Sequence, residues 1–568
     1  MEVDGLELIT TLSLSPIRRA LSTIAPRPVG RPAGEARRLP MMSFARSLFL
    51  VLLCTFVACT RTPRADVVVG NGPDVRSLDP ALAQAVSDAR VLSSLFEGLV
   101  TPDPDKGVPK PGMAERWEQV GLRWRFFLRA DLVWSDGTPI SAEDLRWSYL
   151  RYLDPATGAP LGDFLDSVRG ARACRLGQLP AQDVAIEAES PRILGIELAS
   201  ADPCFLQQLA QFPLLPVPRH VVEQHGSAWT QEEHFVSNGP FILQERRLKD
   251  RVRVRKNPRW HGASTVRSER IDWLALSNPS TLLNLYVADE IDISMDVPLS
   301  AVPTLLAGGA ESIGNELRRD PRLAGYFLRI NVRAPGFQDA RVRRALSLMV
   351  DRDELTASVL RGGEIPAATF TPPNIHCGGL PFVGIAPPSA TRQTILALLL
   401  DGLRAQGLHE LPLFELSIST DPVDAQIGEW LQQRFQSFGL RCRILALDGQ
   451  SLRARMSSGE YALARSTWIA DFDDASNFLE VFAGGASTNR TGWSHADYDA
   501  LLAQARRATS ATERLTTLIA AETLLLEESP LIPLFHLVSR TLVKPRVRGF
   551  HPNPLEWMNA ATLEVTRR

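Results

Sequence analysis

The stretch 411–447 constrains the fold more than any other part of the chain. "LPLFELSIST" (411–420) reads as a strand. "AQIGEWLQQRFQSF" (425–438) follows, with Ile427, Trp430, Leu431, Phe435 and Phe438 recurring on one helical stripe. Gly439 is a natural C-terminal stop, and "LRCRILAL" (440–447) reads as the next strand. Strand, helix and strand at this length require parallel pairing through a right-handed crossover. The body of the protein is therefore expected to be α/β. Other segments agree. "ILGIEL" (193–198) and "RVRVR" (251–255) read as strands. "SAEDLRWSYLRYL" (141–153) opens a helix, with Ser141 and Asp144 three residues apart in an acidic capping box.

The 568 residues are 45% hydrophobic and 22% charged, with a formal net charge of −2. This is globular composition with apolar residues for several cores, and length suggests two to four domains. Near-neutral charge removes any general case for nucleic-acid binding. No zinc-type Cys/His spacing, Walker loop, GxSxG or HExxH appears. No nucleophile–base arrangement is evident either, so no enzyme chemistry, cofactor or metal is expected.

"MMSFARSLFLVLLCTFVACT" (41–60) places Arg46 before an apolar run from Ser47 to Ala58. The run is short for a membrane span and fits a signal sequence. It ends in Phe56-Val57-Ala58-Cys59, which resembles the lipobox of bacterial lipoproteins. Cys59 would then be the lipidated first residue of the mature chain; the alternative is an ordinary signal peptide cleaved nearby. Residues 1–40 are rich in Arg and Pro without periodicity, and are expected to be a non-native extension ahead of a start at Met41 or Met42.

Of six cysteines, Cys54 leaves with the signal and Cys59 carries lipid. Cys174, Cys204, Cys377 and Cys442 remain in an oxidising compartment. Four cysteines allow three full pairings. Cys174 and Cys204 lie nearest in sequence and bracket strand-like segments, so their disulfide is the expected one, with buried thiols as the alternative.

Several collinear motifs then carry a resemblance: "SLDPALAQAVSDARVLSSLFEGLV" (77–100), "PGMAERWE" (111–118), "LRADLVWSDGTPISAEDLRWSYLRYLDP" (128–155), "NGPFILQE" (238–245), "DARVRRALSLMVDRDEL" (339–355) and "ARSTWIADF" (464–472). From about Asp66 to the C-terminus the chain resembles the oligopeptide-binding proteins of ABC importers, extracellular solute-binding protein family 5. The resemblance implies a two-lobed α/β periplasmic-binding-protein fold (class II, cluster C) with a hinge and an extra inserted domain. The first lobe would comprise 66–96, 219–323 and 537–568, the inserted domain 97–218, and the second ligand-gripping lobe 324–536. Hinge crossings would fall near 323 and 537.

A peptide is a zwitterion with an unsatisfied backbone, so enclosing it requires partners for its charges and strand-like hydrogen bonds. The resemblance gives Asp471 the ligand's α-ammonium, and Thr467, Trp468 and Ile469 a backbone that adds the peptide as a strand. Val86, with Gln84 nearby, would supply facing backbone from the first lobe. Trp468 would wall the pocket or pack in the core. Arg465 would meet a ligand carboxylate or serve as an internal salt-bridge partner. Asp473 and Asp474 read as loop residues or caps; an EF-hand's Gly and terminal Glu are missing. Family pocket positions for Trp, Tyr and His carry Gly449, Leu161 and Val423 here, and the two positions of a disulfide seen in some relatives carry Ala324 and Ile469.

The implied protein is a monomer that captures short peptides and delivers them to an ABC permease with its ATPase subunits. It would be lipid-anchored on the periplasmic side of a bacterial membrane or at the cell surface. The alternatives are a binder of cell-wall peptides or another small solute, and a ligand sensor on the same fold. Intact-mass measurement of membrane-extracted protein tests the N-terminus: the expected mass is that of a chain beginning at lipidated Cys59, and an unmodified chain, or one beginning well before Cys59, contradicts it.

Overall fold

The computed structural model describes residues 64–103, 108–309 and 312–566. The extension 1–40, the signal 41–59 and Cys59 lie outside the described residues. In chain order the elements needed here are β1 (Val67–Gly72), α1 (Val86–Leu95), β2 (Ala114–Val120), β3 (Arg123–Leu128), α2 (Ala142–Leu153), β4 (Ile186–Ser190) and β5 (Ile193–Glu197). They continue with β6 (Phe241–Arg247), β7 (Arg251–Lys256), β8 (Arg270–Ala275), β9 (Ile293–Ser294) and the long β10 (Leu317–Ile330). The chain closes with β11 (Phe414–Ser419), α3 (Pro422–Ser437), β12 (Cys442–Leu447), α4 (Gly449–Ser458), β13 (Leu463–Ile469), α5 (Ala511–Glu528) and the long β14 (Leu531–Val543).

One mixed sheet runs in the order β12-β11-β13-β10-β14-β9-β1-β8-β7-β6, with a short strand at Ile365–Pro366 added to β14. The expected crossover is present: β11 and β12 pair in parallel, from Phe414↔Cys442 to Ser419↔Leu447. Ile427, Leu431 and Phe435 of α3 are buried, Trp430 and Phe438 pack at the margin, and Gly439 takes φ +85° just past the helix. The capping box at Ser141 also forms, because Asp144 accepts from the Ser141 backbone N–H at 2.8 Å and its hydroxyl at 2.7 Å.

Among the described residues, the largest apolar clusters group into three cores. Val67, Val69, Trp273, Ile293 and Val543 belong to one, on the β1 side of the sheet. Leu328, Ile330, Leu416, Ile427 and Leu463 belong to a second, on the β11 side, extended by the Phe327, Phe370 and Phe482 cluster. The third is drawn mainly from 99–214, around the separate antiparallel sheet β2-β3-β5-β4, and includes Phe126, Tyr149 and Ile196, with Ala81 and Phe472 packed into it from outside that span. This is a two-lobed α/β protein with a third body inserted.

Among the described residues, only β10 and β14 run through both halves of the large sheet. Their antiparallel ladder is regular from Leu317↔Leu542 to Pro321↔Val538, then breaks and resumes at Gly325↔His536. Pro321 sits at the break, where it withholds one ladder donor. On the β1 side, Arg253 and Asp272 stand directly opposite each other across β7 and β8. Both are buried, and two 2.6 Å hydrogen bonds join guanidinium to carboxylate. Asp272 holds the Arg253 guanidinium above its ordinary value. Asp272→Ala leaves that cation buried without a partner and is expected to cost about 3–5 kcal/mol in urea unfolding; a loss under about 1 kcal/mol contradicts the role given to the pair.

Candidate functional site

β13 lies at a fork in the sheet. On one side it pairs with β10 along its whole length, from Leu463↔Ile330 to Ile469↔Ala324. On the other side β11 pairs only with Leu463 and Ala464 before the strands diverge. The parity of the hydrogen bonds decides which groups stay open. Asn331 N–H donates to Ala462 C=O at 3.0 Å, and Ala470 N–H donates to Leu323 C=O at 2.8 Å. Even-numbered residues therefore face β10, and odd-numbered ones face away, because a strand alternates its polar groups. Thr467 and Ile469 turn N–H and C=O toward an edge with no neighbouring strand, while the backbone of Trp468 belongs to the β10 ladder. The three residues read together from sequence thus divide two to one. Ala324 and Ile469, which stand where some relatives bridge, are cross-strand partners.

Asn477 organises the end of this strand. Its side-chain oxygen accepts from the Trp468 indole N–H at 3.1 Å and the Asp471 backbone N–H at 3.2 Å, and its amide donates to Asp471 Oδ2 at 3.4 Å. The Asp471 side chain is accessible, yet surrounding protein thins its hydration, and Asp163 adds a like charge. Together they push its pKa up to about 6 against the weaker opposing bond from Asn477. Among the described residues no cation forms an ion pair with it. An accessible carboxylate poised in this way favours an incoming cation.

Arg465 is an internal salt-bridge partner, the second of its two sequence readings. Its Nε lies 2.5 Å from Asp424 Oδ2, and its guanidinium sits 5.2 Å over the Tyr326 ring. Asp424 is buried and also accepts from Tyr326 at 2.8 Å and from the Ser419 hydroxyl. Arg465 nonetheless lines a cavity of about 640 Å³ beside the open edge, together with Thr467, Trp468, Ser419 and Gly449. Gly449 leaves that wall bare, with only Arg453 near the place of a Cβ, at 3.5 Å. Trp468 is partly buried, bordering the cavity on one side and the Phe327 cluster on the other.

Val86 lies elsewhere. As the first residue of α1 it borders a second cavity, of about 320 Å³, with Ser87, Arg322 and Arg540. Gln84 borders neither cavity, and its backbone N–H is committed to Asp88 Oδ2 at 3.1 Å. That backbone N–H is therefore already paired in this structure.

The remaining carboxylates of the segment hold it in place. Asp473 accepts from the His376 backbone N–H at 2.9 Å and lies 2.6 Å from the ring Nδ1. Asp474 is fully buried and accepts two 2.7 Å bonds from Arg514. It also accepts from Ser476 N–H at 2.9 Å, which makes it a turn cap as well as an ion-pair partner. Among the described residues no group of three or more His, Cys, Asp or Glu side chains is placed to hold a metal. The expected Cys174–Cys204 disulfide is corrected: both are free thiols. Cys204 faces the Arg514 guanidinium at 3.3 Å, which also donates to Cys377 Sγ at 3.0 Å. Proximity in sequence did not place Cys174 against it.

Two α/β lobes sharing one sheet, with an open strand edge beside a cavity, are the architecture of a solute-binding protein. Over residues 108–490 the sequence matches the bacterial extracellular solute-binding proteins, family 5 Middle, and the chain belongs to this family. It is 33% identical over 502 residues to the probable deoxycholate-binding periplasmic protein YgiS of Escherichia coli, covering 87% of this chain and 92% of that one. It is 29% identical over 521 residues to the periplasmic oligopeptide-binding protein OppA of Salmonella typhimurium, covering 88% and 94%. The solved structure of the Escherichia coli murein tripeptide binding protein MppA matches with a TM-score of 0.74 at 27% identity, covering 89% of this chain and 99% of that one.

The buried pair that anchors the segment gives a direct check. Asp474→Ala is expected to lower stability by about 3–5 kcal/mol, because Arg514 keeps a buried charge without its partner. Adding Arg514→Met should return part of that loss. Denaturant melts of the two single variants and the double variant measure this; strictly additive losses contradict the pairing.

Proposed function

We propose that this chain is the ligand-capturing subunit of an ABC importer: it encloses short peptides between its lobes and hands them to a membrane permease worked by ATPase subunits. The observation that carries the reading is the open backbone at Thr467 and Ile469, ending beside a carboxylate, Asp471, that no cation among the described residues pairs with. A peptide added there as a strand satisfies the open edge through main-chain hydrogen bonds, whatever its sequence. Its α-ammonium meets Asp471. Val86 supplies backbone from the opposing lobe. The protein performs no chemistry. The relative named for oligopeptides supports the same ligand class.

The lobes follow the divisions 66–96 with 219–323 and 537–568, then 324–536, with 97–218 inserted. The break in the β10–β14 ladder at Pro321–Gly325 supports a hinge near 323 and 537, since bending there disturbs few hydrogen bonds. A lipid on Cys59 keeps the monomer beside the permease, on the periplasmic side of the membrane. No helix among the described residues is long and apolar enough to cross a membrane. A second reading has one observation behind it. A relative is named for deoxycholate, an amphipathic carboxylate, and such an anion would enter the cavity lined by arginines rather than pair with Asp471.

Calorimetry with free and N-acetylated peptides separates the two. Asp471→Asn and N-acetylation should each weaken binding by roughly 2–5 kcal/mol, about thirty- to several-thousand-fold, without adding. Below about pH 6 the free protein holds Asp471 protonated, and an ammonium ligand must expel that proton. Affinity should therefore rise with pH between about 5 and 7.5, approaching tenfold per unit at the acid end, and Asp471→Asn should flatten the profile. If acetylated and free peptides bind wild type equally, the amine is not recognised and the reading fails.

A further inference from the structure

The cavity beside β13 carries more positive charge than the structure itself neutralises. Four arginines border it: Arg329, Arg453, Arg465 and Arg490. Arg465 is matched by Asp424. Among the described residues, none of the other three has a carboxylate within ion-pair distance. The only acidic residue in the lining, Asp421, caps α3 by accepting from Val423 N–H at 2.8 Å.

Arg329 is the most telling of the three. It is 4% exposed. Its Nε donates to Ser466 Oγ at 3.0 Å and its Nη1 to Thr488 C=O at 2.9 Å, both neutral acceptors. Its guanidinium lies 5.3 Å from the Phe327 and Phe482 rings. Burial pushes its pKa down to about 10, and the charge of Arg490 presses in the same direction. A desolvated cation is costly to keep without a counter-charge. Neighbouring guanidinium groups on one cavity wall raise that cost and are suited to a carboxylate, which accepts from several donors at once.

The open edge fixes where a ligand would meet them. A peptide whose α-ammonium reaches Asp471 and which runs antiparallel to β13 passes Ile469 first and Thr467 next, at about 3.3 Å per residue. Its second or third residue then stands beside the cavity that Thr467 and Arg465 line.

We propose that this cavity receives a carboxylate side chain from the second or third residue of the bound peptide, held by Arg453 and Arg490 above the buried Arg329. The proposal rests on the peptide-capture reading and adds a preference to it: the protein selects acidic peptides. The backbone and the terminal amine give affinity for any peptide, and these arginines rank peptides by side chain.

Calorimetry at pH 7.5 on the full chain tests it with matched tetrapeptides: Ala-Glu-Ala-Ala against Ala-Gln-Ala-Ala, and Ala-Ala-Glu-Ala against Ala-Ala-Gln-Ala. In at least one pair the glutamate peptide should bind about tenfold or more tightly than its amide, about 1.4 kcal/mol. In the Arg453→Gln, Arg490→Gln double variant, which leaves buried Arg329 in place, that ratio should fall toward one while the amide peptide keeps its affinity. Glutamate and glutamine peptides that bind wild type equally well overturn the proposal and leave peptide capture standing. A wild-type preference that survives in the double variant overturns its placement in this cavity. If no peptide of the series binds, both peptide capture and the proposed preference are overturned.

Discussion

The open edge of β13 at Thr467 and Ile469 is the constraint on which the site depends. A backbone N–H or C=O left unpaired away from water costs about 1–3 kcal/mol, so sheets normally cover or shorten such edges. Here the edge persists because the structure holds it from every other side. β10 takes all the even-numbered groups of the strand, and β11 diverges after Ala464. Beyond the strand, Asn477 fixes the Trp468 indole and the Asp471 backbone, and the Asp474–Arg514 pair locks the turn into the core. A fixed edge with fixed neighbours presents hydrogen-bonding groups that need little reorganisation when a strand arrives.

Charge is distributed along that edge with opposite signs at its two ends. Asp471 stands past the C-terminal end of β13, with its hydration thinned and, among the described residues, no cation paired with it. The cavity around Arg465 stands toward the other end, with arginines in excess of carboxylates. A peptide laid antiparallel along β13 brings its ammonium to the first and its carboxylates toward the second. In the proposed complex, electrostatics would set the direction along the strand and backbone hydrogen bonds the register.

Much of the architecture was legible in the sequence, because periodicity is local. The 411–447 crossover and the Ser141–Asp144 cap each lie within one short window, and both form as read. The site was legible only in part. Asp471, Thr467 and Trp468 share one segment, but which of them offers backbone depends on hydrogen-bond parity against β10, more than a hundred residues away. The partner of Arg465 is Asp424, on a different element, and no spacing rule links them. Arg329 shows the same limit: its place on the cavity wall follows from the pairing of β10 with β13. The cysteine pairing failed for a related reason. Cys204 packs against Arg514, brought to it by tertiary structure, and nearness to Cys174 in the chain carried no information about that.

Hydrogen exchange at single amides tests the open edge most directly. Without ligand, the amides of Ser466 and Trp468 should be protected by β10, while those of Thr467 and Ile469 exchange about tenfold faster or more. Saturation with a short peptide should slow Thr467 and Ile469 and leave their even-numbered neighbours nearly unchanged. Equal protection of all four amides in the ligand-free protein, or no slowing at Thr467 and Ile469 once peptide is bound, would contradict strand addition at this edge.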